Sequence, residues 1–339
     1  MGSPILGIVN SQELKLEDLR GKVIAVDAFN TLYMFLTTIR GPDGTPLKDS
    51  KGNVTSHLSG LFSRFTTLLH YGVRPVFVFD GKAPDLKREE RERRKAIKVE
   101  AQKQFDAAEQ ARDLEGMRKF ASRTATLSQE MISEAKCLLL ALGIPFVDAP
   151  SEGEAQAAYM VKKGDAFAVV SQDADALLFG APRVIKNLSI SFRRKMPGTS
   201  AYKTVMPELI ELKEVLSSLS LSGRQLLLLG ILVGTDFNRG GIKGIGPKKA
   251  LKLVKEFGED AKTLFTEAKA EFDWEAVINV FDTMPVTDEY VLEFRGVNGA
   301  EVKRLLCDGH EFSEERVSSV LERLAKTASL RAQKSIFDY

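Results

Sequence analysis

The chain has 339 residues, with 48 Lys and Arg against 46 Asp and Glu, for a formal net charge of +2. A hydrophobic fraction of 44% and a charged fraction of 28% exclude global disorder, and the length suits one large α/β domain or two ordinary ones. Two cysteines, Cys137 and Cys307, are too few for a zinc site or a disulfide framework and point to a reducing, intracellular setting.

In chain order, the first 22 residues lack the basic-then-apolar layout of a signal peptide. Apolar runs predict strands at 23–27, 76–80, 144–147, 166–170 and 184–187. Helical patterns separate them, which predicts an α/β fold with a mostly parallel twisted sheet flanked by helices. One helix is expected from about Thr55 to Tyr71, with Leu58, Leu61, Phe62, Phe65, Leu68 and Leu69 as its stripe and Gly72 as its stop. Another carries Met131, Ile132, Ala135, Leu138, Leu139 and Leu142 on one face and ends at Gly143; Cys137 reads as a small core residue of that stripe. Between Asp85 and about Leu127 the pattern changes. KREERERRKAIKVEAQK holds eight basic and four acidic residues and almost no apolar stripe, so this helix is no part of a core. It divides the sheet-forming sequence into halves of about 1–100 and 120–258. The longest apolar stretch, LLLLGILVG, is far short of the roughly 20 residues of a membrane helix, and a soluble protein is expected. A short polar tail begins at about Thr327.

Seven acids close these apolar runs or follow them: Asp27, Asp80, Glu152, Glu154, Asp173, Asp175 and Asp236. Each one alone is most simply a helix cap or turn former. Ser151 and Glu154 even have capping-box spacing, and Asp173 or Asp175 could cap the helix DALLFG. Capping does not explain several strand-terminal acids with no basic residue interleaved. In an open α/β sheet ligands bind outside the carboxyl ends of the strands, and acids gathered there repel one another unless a cation sits among them. With no histidine or cysteine beside them, oxygen ligation suits Mg²⁺ or Mn²⁺. In a two-metal phosphodiesterase site one ion lowers the pKa of an attacking water and the other stabilises the leaving oxygen.

Two further features point to phosphate. In GGIKGIGPKKAL, residues 244–246 form a tight glycine hairpin, Pro247 suits the first helical position, and Lys248 and Lys249 follow. This helix–hairpin–helix style of entry aims backbone N–H groups at an anion and reads backbone rather than sequence. On the basic helix, Lys87, Arg91, Arg94 and Lys98 recur at helical spacing. They gather on one face from which Glu89, Glu90 and Glu92 are mostly displaced. Such a face is either solvated or lines a passage for a single strand.

VDAFNTLY, FVFDGKAP, APSEGEAQAAYM, SQDADALLFGAPR, GILVGTDFN and GGIKGIGPKKAL resemble the flap endonuclease family of structure-specific 5′ nucleases, in its archaeal form. The resemblance spans the whole chain. It implies a nuclease region at 1–100, an arch or linker at 101–119, an internal nuclease region at 120–258, a C-terminal helical region at 259–326 and a tail at 327–339. It implies that the seven acids hold two Mg²⁺ ions, with Mn²⁺ able to substitute, and that Lys87 and Arg94 contact the scissile phosphate. It further implies that Tyr33 stacks on an unpaired base. Arg40, Arg64, Glu152, Gly234, Asp236, Gly244, Gly246, Lys248 and Lys249 become DNA contacts. A K⁺ ion at the 244–246 hairpin, and removal of Met1 so that Gly2 becomes the terminus near the site, are implied as well. The implied reaction is 5′-flap endonuclease and 5′-3′ exonuclease cleavage of branched DNA, in lagging-strand maturation and base-excision repair. The setting would be a prokaryotic cytoplasm, with the free protein a monomer. The tail is similar to a sliding-clamp (PCNA) box, with Gln333, Ile336 and Tyr339 in three of its anchor positions. That box normally continues to a second aromatic, so either a trimmed end or weaker clamp binding follows.

Three rival readings fare worse. An aspartyl-phosphate phosphatase needs a second Asp two residues after the first, and Ala28-Phe29 follows Asp27. A non-enzymatic junction binder gives no reason for seven acids. A nucleotide-excision relative would carry a much longer spacer between Asp80 and Glu152.

Overall fold

The computed structural model describes residues 4–337 apart from 42, 112, 122, 174, 189–192 and 196–201; side chains 4, 89, 114, 118, 193–195, 202–204 and 330–337 are outside that description. The first half runs β1 (Gln12–Glu13), β2 (Val23–Asp27), α1 (Ala28–Thr38), α2 (Ser56–Tyr71), β3 (Arg74–Phe79), α3 (Arg88–Gln110), α4 (Leu114–Ala121), α5 (Gln129–Ala141) and β4 (Phe146–Asp148). Next come α6 (Gly153–Lys163), β5 (Ala168–Val170), α7 (Asp175–Leu178), β6 (Arg183–Lys186), a small hairpin of β7 (Arg193–Lys195) and β8 (Tyr202–Thr204), and β9 (Glu208–Glu211). Helices complete the chain: α8 (Leu212–Leu219), α9 (Gly223–Val233), α10 (Pro247–Phe257), α11 (Ala261–Glu267), α12 (Trp274–Thr283), α13 (Gly299–Lys303) and α14 (Glu314–Phe337).

The main sheet has the order β1-β9-β6-β5-β2-β3-β4. β2 pairs in parallel with both β3 and β5, β3 with β4, and β5 with β6. All five expected strands form within two residues of their expected bounds. Composition alone did not reveal the antiparallel edge, in which β9 pairs with β6 and with the two exposed residues of β1.

Period-2 alternation divides the core in two. Ala25, Val76 and Val78 face one side, with α6, α9 and α12 packed over them. Ile24, Val26, Phe77 and Phe79 face the other, under α1, α2 and α5. The chain fills the sheet from β2 outward through β3 and β4, then returns to the other side of β2 with β5. The turns after β2 and β5 therefore diverge at a topological switch point, where a crevice opens at the carboxyl ends of the strands.

Helix boundaries follow local chemistry. α2 stops at Gly72, which takes a left-handed conformation at φ 84°. α10 starts as expected, with Gly246 as N-cap and Pro247 in the first turn. Three readings are corrected. Cys137 is exposed, because its place on α5 lies between the buried Leu138 and Leu139 face and solvent. Asp236 follows the buried helix α9 and so, unlike acids such as Asp27 and Asp80, does not close a strand. The backbone of the expected polar tail continues α14 to Phe337, while the side chains of Gln333 and Ile336, and all of Tyr339, lie outside the described residues. Among the described residues no single helix is long and apolar enough to cross a membrane.

Candidate active site

β2 ends in Asp27, whose side chain accepts from the Asn30 backbone N–H at 3.0 Å and so caps α1. The capping reading therefore holds for this residue, and it coexists with burial beside other acids. Asn30 Nδ2 donates to Asp173 at 3.1 Å, so one neutral side chain ties the turn after β2 to the turn after β5. Asn30 was not singled out from sequence; its place three residues after a strand-terminal Asp was the available signal.

Asp80 follows β3 and accepts from the Gly153 N–H at 2.6 Å. A Cβ on Gly153 would lie 2.6 Å from the same carboxylate oxygen, so only glycine lets the start of α6 approach Asp80 this closely. The expected capping box between Ser151 and Glu154 does not form. Glu152 is the N-cap residue without a side-chain cap, Ser151 Oγ donates to the Lys82 carbonyl at 2.9 Å, and Glu154 accepts from Ser171 Oγ at 2.6 Å. Both glutamates are thereby left facing the other acids.

Electrostatics shows how tightly the acids gather. Burial raises Asp27 to about 8, with Asp80 and Asp173 adding repulsion. Burial and Asp236 raise Asp175 to about 7, and Glu154 stands well above the usual carboxylate range through burial and the nearby Asp175. Asp80, although partly open to solvent, is raised to about 6 by desolvation and by Glu152. Asp173 is raised too, first by burial. Acids with such shifts ionise reluctantly unless a cation joins them.

Two protein cations reach in from the helical insertion. The Lys87 ammonium bonds Glu152 and lies 3.4 Å from Asp236. Burial alone would lower its pKa, but these carboxylates hold it above the ordinary lysine value. Arg94 donates through Nη2 to Asp236 at 2.8 Å. As they stand, no three of the described acids, histidines or cysteines converge tightly enough to enclose an ion, and the Lys87 ammonium bridges two of them. The donor chemistry nevertheless fits hard divalent cations: it is oxygen-only, and the buried acids repel one another.

The other expected residues lie around this cluster. Tyr33, on α1, has the Lys98 ammonium over its ring at 4.6 Å and bonded to its hydroxyl. Arg40 is half-buried and held by the Gly44 and Thr37 carbonyls at 2.7 and 3.2 Å, and Arg64 is half-buried on α2; burial lowers the pKa of both. Neither touches the acids. Lys248 and Lys249 are exposed in the first turn of α10, after Gly244 at φ 81° and Gly246. Met1 and Gly2 lie outside the described residues.

Gly234 ends α9 at φ 105° and leads to Asp236. A Cβ there would meet the backbone nitrogens of Gly241 and Gly240 at 2.6 and 2.8 Å. Gly234→Ala should therefore cost roughly 1–3 kcal/mol, seen as a lower melting temperature. An unchanged melting curve would show that the loop yields freely.

Sequence reasoning placed Glu90 away from the basic face, together with Glu89 and Glu92. The Glu89 side chain lies outside the described residues, and Glu92 pairs weakly with Arg88 at 3.8 Å, away from the acids. Glu90 is corrected: it sits among Arg93, Arg94 and Arg239. Helical spacing already brings Arg93 and Arg94 to Glu90 at i+3 and i+4, but it could not show Arg239, which comes from a loop 149 residues away.

An α/β sheet with acids at its switch point and cations reaching over them defines a class of divalent-metal-dependent phosphodiester hydrolases. Residues 3–101 match the XPG N-terminal domain and residues 143–236 match the XPG I-region. Flap endonuclease 1 of Pyrococcus abyssi is 49% identical over 336 residues, covering 99% of this chain and 97% of the relative. Flap endonuclease 1 of Hyperthermus butylicus is 50% identical over 317 residues, 93% of this chain and 91% of the relative. The solved flap endonuclease-1 from Methanococcus jannaschii superposes with a TM-score of 0.77 at 40% identity, covering 97% of this chain and 100% of that one. The chain belongs to the flap endonuclease family of structure-specific DNA nucleases.

Proposed function

We propose that this protein cleaves phosphodiester bonds at the base of 5′ flaps in branched DNA, with 5′-3′ exonuclease activity, during lagging-strand maturation and base-excision repair. The observation that carries this reading is the convergence of buried, mutually repelling acids with two cations, Lys87 and Arg94, brought to them from a separate helical element.

Asp27, Asp80, Glu152, Glu154, Asp173, Asp175 and Asp236 would hold two Mg²⁺ ions, with Mn²⁺ as a substitute. When bound, the ions supply a Lewis-acid field that activates water and offsets charge on the leaving oxygen. The rest falls to the protein's own groups. Lys87 and Arg94 hold the non-bridging oxygens of the scissile phosphate, where negative charge accumulates. Tyr33 offers a ring face to an unpaired base. The start of α10, with Lys248 and Lys249, takes a backbone phosphate of the duplex, and Arg40, Arg64 and Gly234 line its approach. A K⁺ ion at the 244–246 turn would draw on carbonyl oxygens, hard donors that suit an alkali cation. We place the protein in a cytoplasmic, DNA-associated setting, monomeric when free.

A labelled 5′-flap duplex incubated with Mg²⁺ should be cut near the junction and left intact in chelator. Equal cutting of flapless duplex would overturn the structural specificity. Arg94→Ala should slow single-turnover cleavage by about 100-fold while flap affinity changes by less than about tenfold. An equal fall in both would reduce Arg94 to general electrostatics.

The tail reading rests on Gln333, Ile336 and Tyr339 as anchors for the sliding clamp, since a few such side chains carry most of an interface. Deletion from Gln333 onward should leave clamp-free cleavage unchanged and remove stimulation by the clamp. Calorimetry with purified clamp checks it: equal affinity for the two chains rules the box out.

A further inference from the structure

Glu90 is an acid on a helix whose other site-facing charges are cationic. Its side chain is only 10% exposed, and its two oxygens serve three arginines. Arg93 donates to it through Nε at 2.8 Å and Nη2 at 2.9 Å. Arg94 donates through Nε at 2.7 Å, and Arg239 approaches at 3.4 Å from the loop between α9 and α10.

The Arg94 bonds settle what this does. A guanidinium is a flat fork of five N–H donors. Glu90 takes the Nε edge, while Nη2 of the same group reaches Asp236 at 2.8 Å. An exposed arginine otherwise samples many rotamers, and fixing one of them requires a second contact. Fixing the Nε edge sets the plane of the group and directs its Nη edge into the acid cluster. Through Arg239 the same carboxylate ties the start of α3 to the loop that carries Asp236. Elementary electrostatics opposes placing an acid here, since it lowers the positive potential that attracts DNA.

We propose that Glu90 is a positioning residue for the reaction: it holds the Arg94 guanidinium with its Nη groups turned to the scissile phosphate and docks the base of α3 against the Asp236 loop. The proposal rests on the flap-cleavage reading above. Glu90 touches neither substrate nor metal and acts only through Arg94 and Arg239.

The sign of the effect separates this from charge alone. Removing an acid from a basic helix should, by charge, tighten DNA binding and leave cleavage equal or faster. Loss of positioning should slow the chemical step. The test is single-turnover cleavage of a 5′-flap duplex in Mg²⁺, with flap affinity by fluorescence anisotropy, for the wild type, Glu90→Gln, Glu90→Asp, Arg94→Ala and the Glu90→Gln/Arg94→Ala double variant. Groups that orient a reacting side chain are typically worth 10–100-fold. Glu90→Gln is therefore expected to slow cleavage by about tenfold or more, with affinity unchanged or tighter, and Glu90→Asp to recover part of the rate. In the Arg94→Ala background Glu90→Gln should add less than about twofold, because the residue it positions is gone. Wild-type rates in Glu90→Gln, or losses that multiply in the double variant, would overturn the proposal. Failure of the wild-type protein to cut the flap would instead overturn the functional reading and leave the Glu90 geometry as a structural tie.

Discussion

Asp27→Asn is expected to lose cleavage by more than about 100-fold while folding normally. Asparagine caps helices as well as aspartate does, so the bond to the Asn30 N–H, 3.0 Å in the wild type, can persist. What disappears is a carboxyl, its pKa raised to about 8 by burial and Asp80, that can ionise when a cation joins it. If Asp27 only caps α1, the substitution is silent. If its carboxylate holds metal, the loss exceeds the roughly 10–100-fold typical of outer-shell partners. Asp173→Asn makes a parallel case, since the amide oxygen can still accept from Asn30 Nδ2. Single-turnover rates with circular dichroism on each variant decide between the two roles. Near-wild-type cleavage by Asp27→Asn would remove it from the metal set, and lost helicity would mark it as structural.

The second large effect concerns pH and metal. Asp80, Asp175 and Asp27 are raised to about 6, 7 and 8, against roughly 4 in an unfolded chain. Over this window the folded state binds protons that the unfolded state has released, so stability falls as pH rises. Their stabilising contribution is complete below about pH 4 and lost by about pH 8. Exposed acids such as Asp260 and Asp288 have lowered pKa values from hydrogen bonds to Thr263 and to Lys163 and Tyr159, and the covered Asp49 is lowered, against its desolvation, by bonds from Asn53 and His310. Those contributions vanish only at more acidic pH. Metal-free protein should therefore melt at a higher temperature near pH 5.5 than near pH 8. Divalent ions compete with these protons, so added Mg²⁺ should raise the melting temperature more at pH 8 than at pH 5.5. Scanning fluorimetry with chelator and with Mg²⁺ reads both. A metal-free melting temperature that climbs steadily from pH 5.5 to pH 8 would contradict the buried-acid account, and Asp27→Asn should flatten the profile.

The parallel strands could be read from the sequence because each is a short run of β-branched and aromatic residues between turn formers. β2, for instance, is VIAVD, buried throughout its last four positions. The acids stood out for a similar reason, since charge at the end of an apolar run is costly unless used. Glu90 was placed off the basic face although Arg93 and Arg94 stand at i+3 and i+4 from it, and its third partner, Arg239, arrives from a distant loop. Cys137 was misjudged by the width of an apolar stripe: a helix buries one face, and Leu140 beside it is 58% exposed. β1 and β9 escaped notice because strands of two and four residues carry almost no periodicity.

Local order along the chain was thus enough to establish the sheet class and the Gly-Pro start of α10, and to single out the acids, because period, caps and turn residues act over a few neighbours. It could not establish that Asn30 reaches Asp173, that Lys87 bridges Glu152 and Asp236, that Arg94 meets Asp236, or that Arg239 meets Glu90. Those contacts join segments separated by 65 to 149 residues, and they exist only once the strands have taken their order in the sheet. Long-range electrostatics depends on distance in space and on burial, and both are properties of the packed chain.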